Sequence, residues 1–206
     1  MIINDSLKAV MEQRRSIRSY DPTYKISREK ILEMLQEAST APSSHNLQSW
    51  RFIIIDTPEE KKVIRKIAWN QEQVETSSAT IAIIGDAKAF ENAEAIAQKS
   101  MDEGLMTHEA AQNYIQGVMQ LYPHASEEAL KEIARFDGGL FAMQLMLIAK
   151  AHGLDTVCMG GFDKEALAKH YDLAEQYVPL VLISIGKAAN LGYETTRLNV
   201  SDLILK

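Results

Sequence analysis

Four short apolar runs alternate with stretches of helical period along this chain, and their order predicts most of its elements. Leu7, Val10 and Met11 belong to a first helix that Ser6 can cap, with Arg14 and Arg15 near its C-terminal end. Asp21-Pro22 then breaks the chain. Ser27 is the expected N-cap of a second helix, whose inner face carries Ile31, Leu35 and Ala38. Pro42 stops it, because the residue before a proline avoids helical geometry. Phe52 to Ile55 reads as a buried strand. Thr57-Pro58-Glu59-Glu60 offers a capping threonine, a first-turn proline and a capping-box glutamate, and Val63, Ile64 and Ile67 form the inner face of the helix that follows. Ala79 to Ile84 is a second buried strand, ended by Gly85-Asp86.

Residues 88–122 predict two modest, more exposed helices, with Gly104 and Pro123 as breaks. From Ser126 to Ala151 the pattern is one long helix stopped by Gly153. Its second half, with Phe136, Leu140, Phe141, Met143, Leu145, Met146, Leu147 and Ile148, is apolar nearly all round, which predicts burial on all sides at the centre of one core or of a dimer. Gly138-Gly139 inside it costs helix propensity and implies close approach of another backbone or helix. Asp155 to Met159 reads as a short strand, Gly160-Gly161 as a tight turn, and Asp163 as the cap of a helix through Leu167 and Tyr171. Val178 to Ile185 is the last buried strand, with Pro179 tolerable only near its start. Leu203-Ile204-Leu205 closes a polar tail and needs a packing partner, another subunit being one candidate. Strands separated by helices around a central buried helix predict an α+β or α/β layer fold.

At 206 residues the chain is most simply one domain, 1–206, with room for a proper core. Its net charge of -6 argues against a general nucleic-acid or anionic-membrane binder, so arginines clustered locally point to a specific small anion. Cys158 is the only cysteine, which excludes an intramolecular disulfide and suits a reducing cytosol. Met1–Asp5 opens no basic-then-apolar leader, and no apolar run is long enough to span a bilayer. The expected location is the cytoplasm.

Several chemistries are excluded by missing motifs. No G-x-G-x-x-G follows a strand, no Walker A loop is present, and the histidines (45, 108, 124, 152, 170) lack H-E-x-x-H spacing, so no metal site is expected. No G-x-S-x-G elbow supports a hydrolase. What stands out is Arg14-Arg15-Ser16-Ile17-Arg18-Ser19-Tyr20, with three guanidiniums in five residues, and the hydroxyl- and amide-rich Ala41-Pro42-Ser43-Ser44-His45-Asn46-Leu47-Gln48-Ser49-Trp50. Guanidinium forks suit phosphate and carboxylate oxygens, so the pair reads as an anion grip and a polar rim for a phosphorylated, hydrogen-bonding ring. Taken singly, each has a plainer reading: a solvated helix end for the arginines, an ordinary turn for the serines and amides, a small core residue for Cys158, and core or interface packing for Trp50 and Trp69.

Their order along the chain resembles the nitroreductase family of FMN-dependent oxidoreductases. The likeness runs from Arg14 to Arg197 through R-R-S-I-R-S-Y, A-P-S-S-H-N-L-Q-S-W-R-F, W-N-Q-E-Q, M-G-G-F-D and a late arginine. The resemblance implies an α+β three-layer fold, a central mixed β-sheet flanked by helices, with the long buried helix at the interface of an intertwined homodimer. It implies that Arg14, Arg15, Ser16 and Arg18 grip the FMN phosphate and ring edge, and that Pro42, Ser43, Ser44, Asn46 and Gln48 line the flavin of the partner subunit. Asn70 and Gln73 match amides near the ring. Cys158, Met159, Gly160 and Gly161 match a loop approaching it, and Arg197 matches a late phosphate contact. Two departures stand by that pocket: Ser49 replaces the usual proline of Q-P-W, and Cys158 the usual proline before M-G-G. The implied activity is electron transfer from NADH or NADPH through flavin N5, ping-pong, to nitroaromatics, quinones or similar planar acceptors, with no side chain as obligatory acid or base. Two alternatives stay open: a relative specialised for reductive dehalogenation or dehydrogenation, and a non-catalytic flavin-binding protein.

Overall fold

In a computed structural model the described residues are 6–205, so the leader reading at Met1–Asp5 lies outside them. Helices α1 (Leu7–Gln13), α2 (Arg28–Ala38), α3 (Pro58–Ile67) and α8 (Lys164–His170) begin where the sequence places a cap, and α7 (Glu127–Ala151) begins one residue after Ser126, the expected start of the long helix. The side chains of Ser6, Ser27, Thr57, Ser126 and Asp163 each accept a backbone N–H from the first turn. Between them lie α4 (Glu72–Thr76) and the helical pair α5 (Ala93–Asp102) and α6 (His108–Leu121). Gly104, at φ 72°, turns the chain between α5 and α6, as a residue without Cβ can.

Strands β1 (Trp50–Ile55), β2 (Ala79–Asp86), β3 (Asp155–Met159) and β4 (Tyr177–Gly186) form one sheet in the order β1-β2-β4-β3. Every neighbouring pair is antiparallel. The expected mixed sheet is corrected on this point: among the described residues the parallel pairing is confined to a single bridge, Ser16 to Thr156. The layers follow from the two-residue period of the strands. Ile81, Ile83, Ile183 and Ile185 point to one face, where Ile31, Met34 and Leu35 of α2 and Phe141 and Leu145 of α7 cover them. Ala82, Ile84, Leu182 and Val157 point to the other, against Ile64 of α3, Val74 of α4 and Leu167 of α8. This is a three-layer α+β fold. Each of these large side chains contributes about 1.5–3 kcal/mol by leaving water.

Several local expectations shift. β1 is half-buried along its middle because it is an edge strand. Pro179 sits within β4 opposite Ile84, where the β2 register slips between Ile83 and Ile84, so an irregular pairing accommodates its missing N–H. In α3 the inner face is Lys61 and Ile64 rather than Val63, which is 40% exposed. Lys61 buries its stem and donates from Nζ to the Ser77 carbonyl at 2.6 Å; burial pulls its pKa below the usual lysine value. α7 is buried on one side only, through Ala134, Asp137, Gly138, Phe141, Ala142 and Leu145, whereas Phe136 (66% exposed) and Met143 face outward. Close approach holds at Gly138, where an added Cβ would stand 2.2 Å from Leu180 Cδ1, but not at Gly139, which faces open space.

Candidate functional site

The arginine segment leaves α1 at Arg14, whose extended ψ of 125° ends the helix. The chain then runs beside β3: the Ile17 amide donates to the Thr156 carbonyl at 3.0 Å and the Ile17 side chain enters the core. Ser16 and Arg18 are exposed, while the buried Ile17 and Tyr20 anchor the strip. Tyr20 donates to the Ser184 carbonyl at 3.0 Å, and burial raises its phenol far above the usual range, so it is fixed as a neutral structural donor. Of the eight arginines in the chain, Arg28, Arg51, Arg65 and Arg135 each pair with a carboxylate. Arg14, Arg15, Arg18 and Arg197 pair with none among the described residues; Arg15 and Arg197 only reach neighbouring backbone carbonyls.

At the other end of β3 the chain turns through Gly160-Gly161. A Cβ added at Gly160 would meet nothing within 4 Å, so its backbone borders open space. The segment after α3 packs here. Trp69 and Asn70 both hold left-handed φ, 53° and 59°. Gln73 donates to Met159 Sδ at 3.2 Å and to Gln71 Oε1 at 2.9 Å, and Gln71 donates to the Gly161 carbonyl at 2.8 Å. Trp69 lies against Gly161 and is 66% exposed, so of its core-or-interface reading the core half does not hold; Trp50 is buried as expected. Cys158 is likewise exposed rather than core. Desolvation nonetheless raises its thiol above the ordinary value, so it is poorly suited to be a thiolate nucleophile.

The Pro42–Gln48 loop lies elsewhere, leading into β1 at the opposite edge of the sheet. From Ser16, paired outside β3, to β1 is four inter-strand steps, roughly 19 Å at about 4.8 Å each. The loop has a 3-10 turn, Ser44–Asn46, and holds His45, Asn46 and Gln48 at φ 50–55°. Its bonds are dense. The Gln48 amide donates to Ser43 Oγ at 3.0 Å, Asn92 Nδ2 to the Leu47 carbonyl at 3.1 Å and Tyr114 OH to the His45 carbonyl at 2.9 Å. His45 Nδ1 and Tyr122 OH are 2.9 Å apart. Burial raises the pKa of both tyrosines, keeping them neutral. Beneath the loop, Asp137 of α7 is fully buried and accepts from the Ser44 amide and hydroxyl, each at 3.0 Å, and from the Ser49 hydroxyl at 2.6 Å. A cleft of about 700 Å³ opens beside Asn46 and Gln48, walled by Trp50, Phe52, Asn92 and Ile96.

The structure thus gathers Arg14, Arg15, Ser16, Arg18, Asn70, Gln73, Cys158, Met159, Gly160 and Gly161 around β3, and keeps Pro42, Ser43, Ser44, Asn46 and Gln48 at the far edge. Arg197 stands apart, exposed on the tail beyond Gly192, which packs on Arg15 and Ile17. Sequence reasoning missed Asp137 and Gln71. The W-N-Q-E-Q segment was the available signal for Gln71, whereas a lone aspartate in a long helix offered none for Asp137. One group of potential metal ligands, Glu33, Glu37 and His152, exists among the described residues. Lys30 already binds Glu33 at 2.7 Å, and His152 Nε2 meets Glu37 at 2.7 Å. His152 Nδ1 is buried without a partner among the described residues, so a metal on Nε2 would leave its N–H unpaired by them.

Comparison with known proteins fits this geometry. The Nitroreductase family profile matches residues 11–187, and the chain belongs to that family of oxidoreductases. Among its relatives is the Bacillus subtilis putative NAD(P)H nitroreductase YdgI, 44% identical over 98% of each chain. A second is the conjugated-linoleic-acid (CLA) biosynthesis enone reductase of Lactiplantibacillus plantarum, 37% identical over 95% of this chain and 92% of that one. A putative nitroreductase from Exiguobacterium sibiricum, solved in complex with FMN, superposes with a TM-score of 0.95 at 41% identity, covering 98% of both chains. No helix among the described residues is long and apolar enough to cross a membrane.

Proposed function

We propose that this chain is a single-domain, FMN-dependent NAD(P)H oxidoreductase that works as a homodimer in the cytoplasm, where its nicotinamide donors are found. FMN, when bound, supplies hydride acceptance at N5 and onward electron transfer; the protein supplies binding, orientation and electrostatics. The observation that carries this reading is the division of the arginines. Four are neutralised by carboxylates, and the four without a carboxylate partner among the described residues are Arg14, Arg15, Arg18 and Arg197. Permanent cations left uncommitted in an acidic chain fit a phosphate ester, and nearby hydroxyl and amide donors fit the edge of a ring. The open backbone at Gly160 leaves room for a flat group to approach.

In this reading Arg14, Arg15, Ser16 and Arg197 hold the phosphate. Arg18 and Asn70 balance negative charge at the N1–O2 edge, while Gln73, Cys158, Met159, Gly160 and Gly161 border the ring. Donor and acceptor use the same pocket in turn. No side chain here is an obligatory acid or base, and solvent or a pocket hydroxyl delivers the proton. Acceptors are flat electrophiles: nitroaromatics, quinones and, given the similarity to an enone reductase, conjugated enones. The separation of the two segments supports the dimer in this reading. With Pro42, Ser43, Ser44, Asn46 and Gln48 at the β1 edge, they line a flavin held by the partner. The outward Phe136 and Met143 of α7 and the exposed apolar tail at Leu203, Ile204 and Leu205 are surfaces a second copy would cover.

The test is a visible absorption spectrum of the purified protein before and after anaerobic NADH or NADPH. Flavin absorbance that bleaches with the donor and returns with a quinone, nitroaromatic or enone is the expected result. A protein that binds no FMN, or binds it and is never bleached, overturns the reading.

A further inference from the structure

Asp137 is a carboxylate with no exposure at all, and no cation pairs with it among the described residues. Such a group is costly to bury unless donors replace its water. Here three do: the Ser44 amide and hydroxyl on Oδ1 and the Ser49 hydroxyl on Oδ2. Ser44 and Ser49 bracket the part of the loop in which His45, Asn46 and Gln48 hold left-handed φ. Left-handed backbone at non-glycine residues persists only where surrounding contacts over-determine it. One carboxylate therefore grips both ends of a strained segment, and helix α7, whose neighbouring Gly138 lies close against Leu180 of β4, gives it a rigid base.

We propose that Asp137 is a positioning residue for the cofactor site, holding Asn46 and Gln48 in the conformation that meets the partner's flavin, and that Ser49 is its second tether. This rests on the functional reading above. The Ser49 hydroxyl stands where the family resemblance leads one to expect a proline. A proline at that position would stiffen the backbone but could not donate to Oδ2. Serine replaces covalent stiffness by a short bond to a buried carboxylate, so the loop's order depends on the Asp137 side chain beneath it.

Two substitutions test this. Asp137→Asn keeps the shape and the acceptor for Ser44 but removes the charge; Ser49→Ala removes one tether and leaves the carboxylate two donors. Backbone amide exchange over residues 44–49 is measured in the cofactor-free protein, and FMN affinity and the visible circular dichroism of bound FMN in the loaded one. Loss of charge-assisted bonds corresponds to roughly a tenfold to hundredfold effect. The expected result is exchange over 44–49 faster by about that factor in Asp137→Asn and less so in Ser49→Ala. FMN affinity should fall in the same order and the flavin dichroism change, with protection of α2 and β2 retained. Unchanged exchange overturns the tether. Faster exchange with unaltered FMN affinity and dichroism overturns the positioning role while leaving the enzyme reading intact. If wild-type protein binds no FMN, the functional reading fails and the positioning role with it, while exchange still decides the tether. Should Asp137→Asn not fold, Ser49→Ala carries the same measurements.

Discussion

The Arg14–Arg18 strip and the Ser44–Ser49 loop are built on opposite plans. The strip is tied to the fold through Ile17 and Tyr20, and its guanidiniums meet no described carboxylate. The loop has its serines and several of its carbonyls engaged, by Asp137, Asn92, Tyr114 and the Gln48 amide, and His45 by Tyr122, which together support three residues in left-handed backbone. One region keeps charge available for an anion. The other fixes a shape before any ligand arrives, which lowers the ordering cost of binding. Electrostatic capture and preorganised fit are thus assigned to opposite edges of one sheet, and in the proposed dimer two chains would bring them to one ring.

That division is broken most directly by mixing defects. A chain with Arg14→Ala and Arg18→Ala and a chain with Asn46→Ala and Gln48→Ala are each expected to be nearly inactive. Co-expressed, half of the dimers formed at random would be mixed, each with one intact site, so about a quarter of wild-type activity should return in a symmetric dimer. Recovery near zero would put both segments of one chain in the same site. A smaller effect separates charge from shape within one ligand. Arg18→Ala is expected to weaken FMN by roughly tenfold to hundredfold and to slow flavin reduction. Wild-type FMN affinity should fall several-fold between about 0.05 and about 0.5 M salt as exposed charges are screened. Riboflavin, which lacks the phosphate, should show little of that salt dependence. Equal salt dependence for both ligands, by titration of fluorescence quenching, would remove the arginines from the phosphate.

What could be read from the sequence was what local chemistry decides. Ser6, Ser27, Thr57, Ser126 and Asp163 cap helices with bonds to amides only three residues away, so their role is written in adjacent positions. The strands were legible as apolar runs and the family motifs by their order. Strand order was not, and with it went the half-burial of β1 and the antiparallel pairing throughout. Asp137 was invisible for the same reason. Its partners stand 93 and 88 positions away, and nothing beside it in α7 marks it as a site. Lys61 was hidden by its charge, since a lysine is expected outside until a carbonyl such as that of Ser77 is seen waiting for it. For Trp69 residue type left core and interface open, and the left-handed backbone that turns it out onto Gly161 removes the core half.

The smallest effect decides how concentrated the loop's support is. Tyr114→Phe removes one neutral hydroxyl bond to the His45 carbonyl and leaves the ring packed. A neutral bond of this kind contributes about 0.5–1.5 kcal/mol, so stability should drop by no more than that, read by denaturant unfolding. FMN affinity should change by less than about threefold, because the charged tethers to Asp137 are stronger than a neutral one. If Tyr114→Phe instead weakened FMN as much as Asp137→Asn, the loop's geometry would be spread evenly over its contacts. The contrast between a focused anchor on one edge and uncommitted charge on the other would then give way to a loop that merely packs.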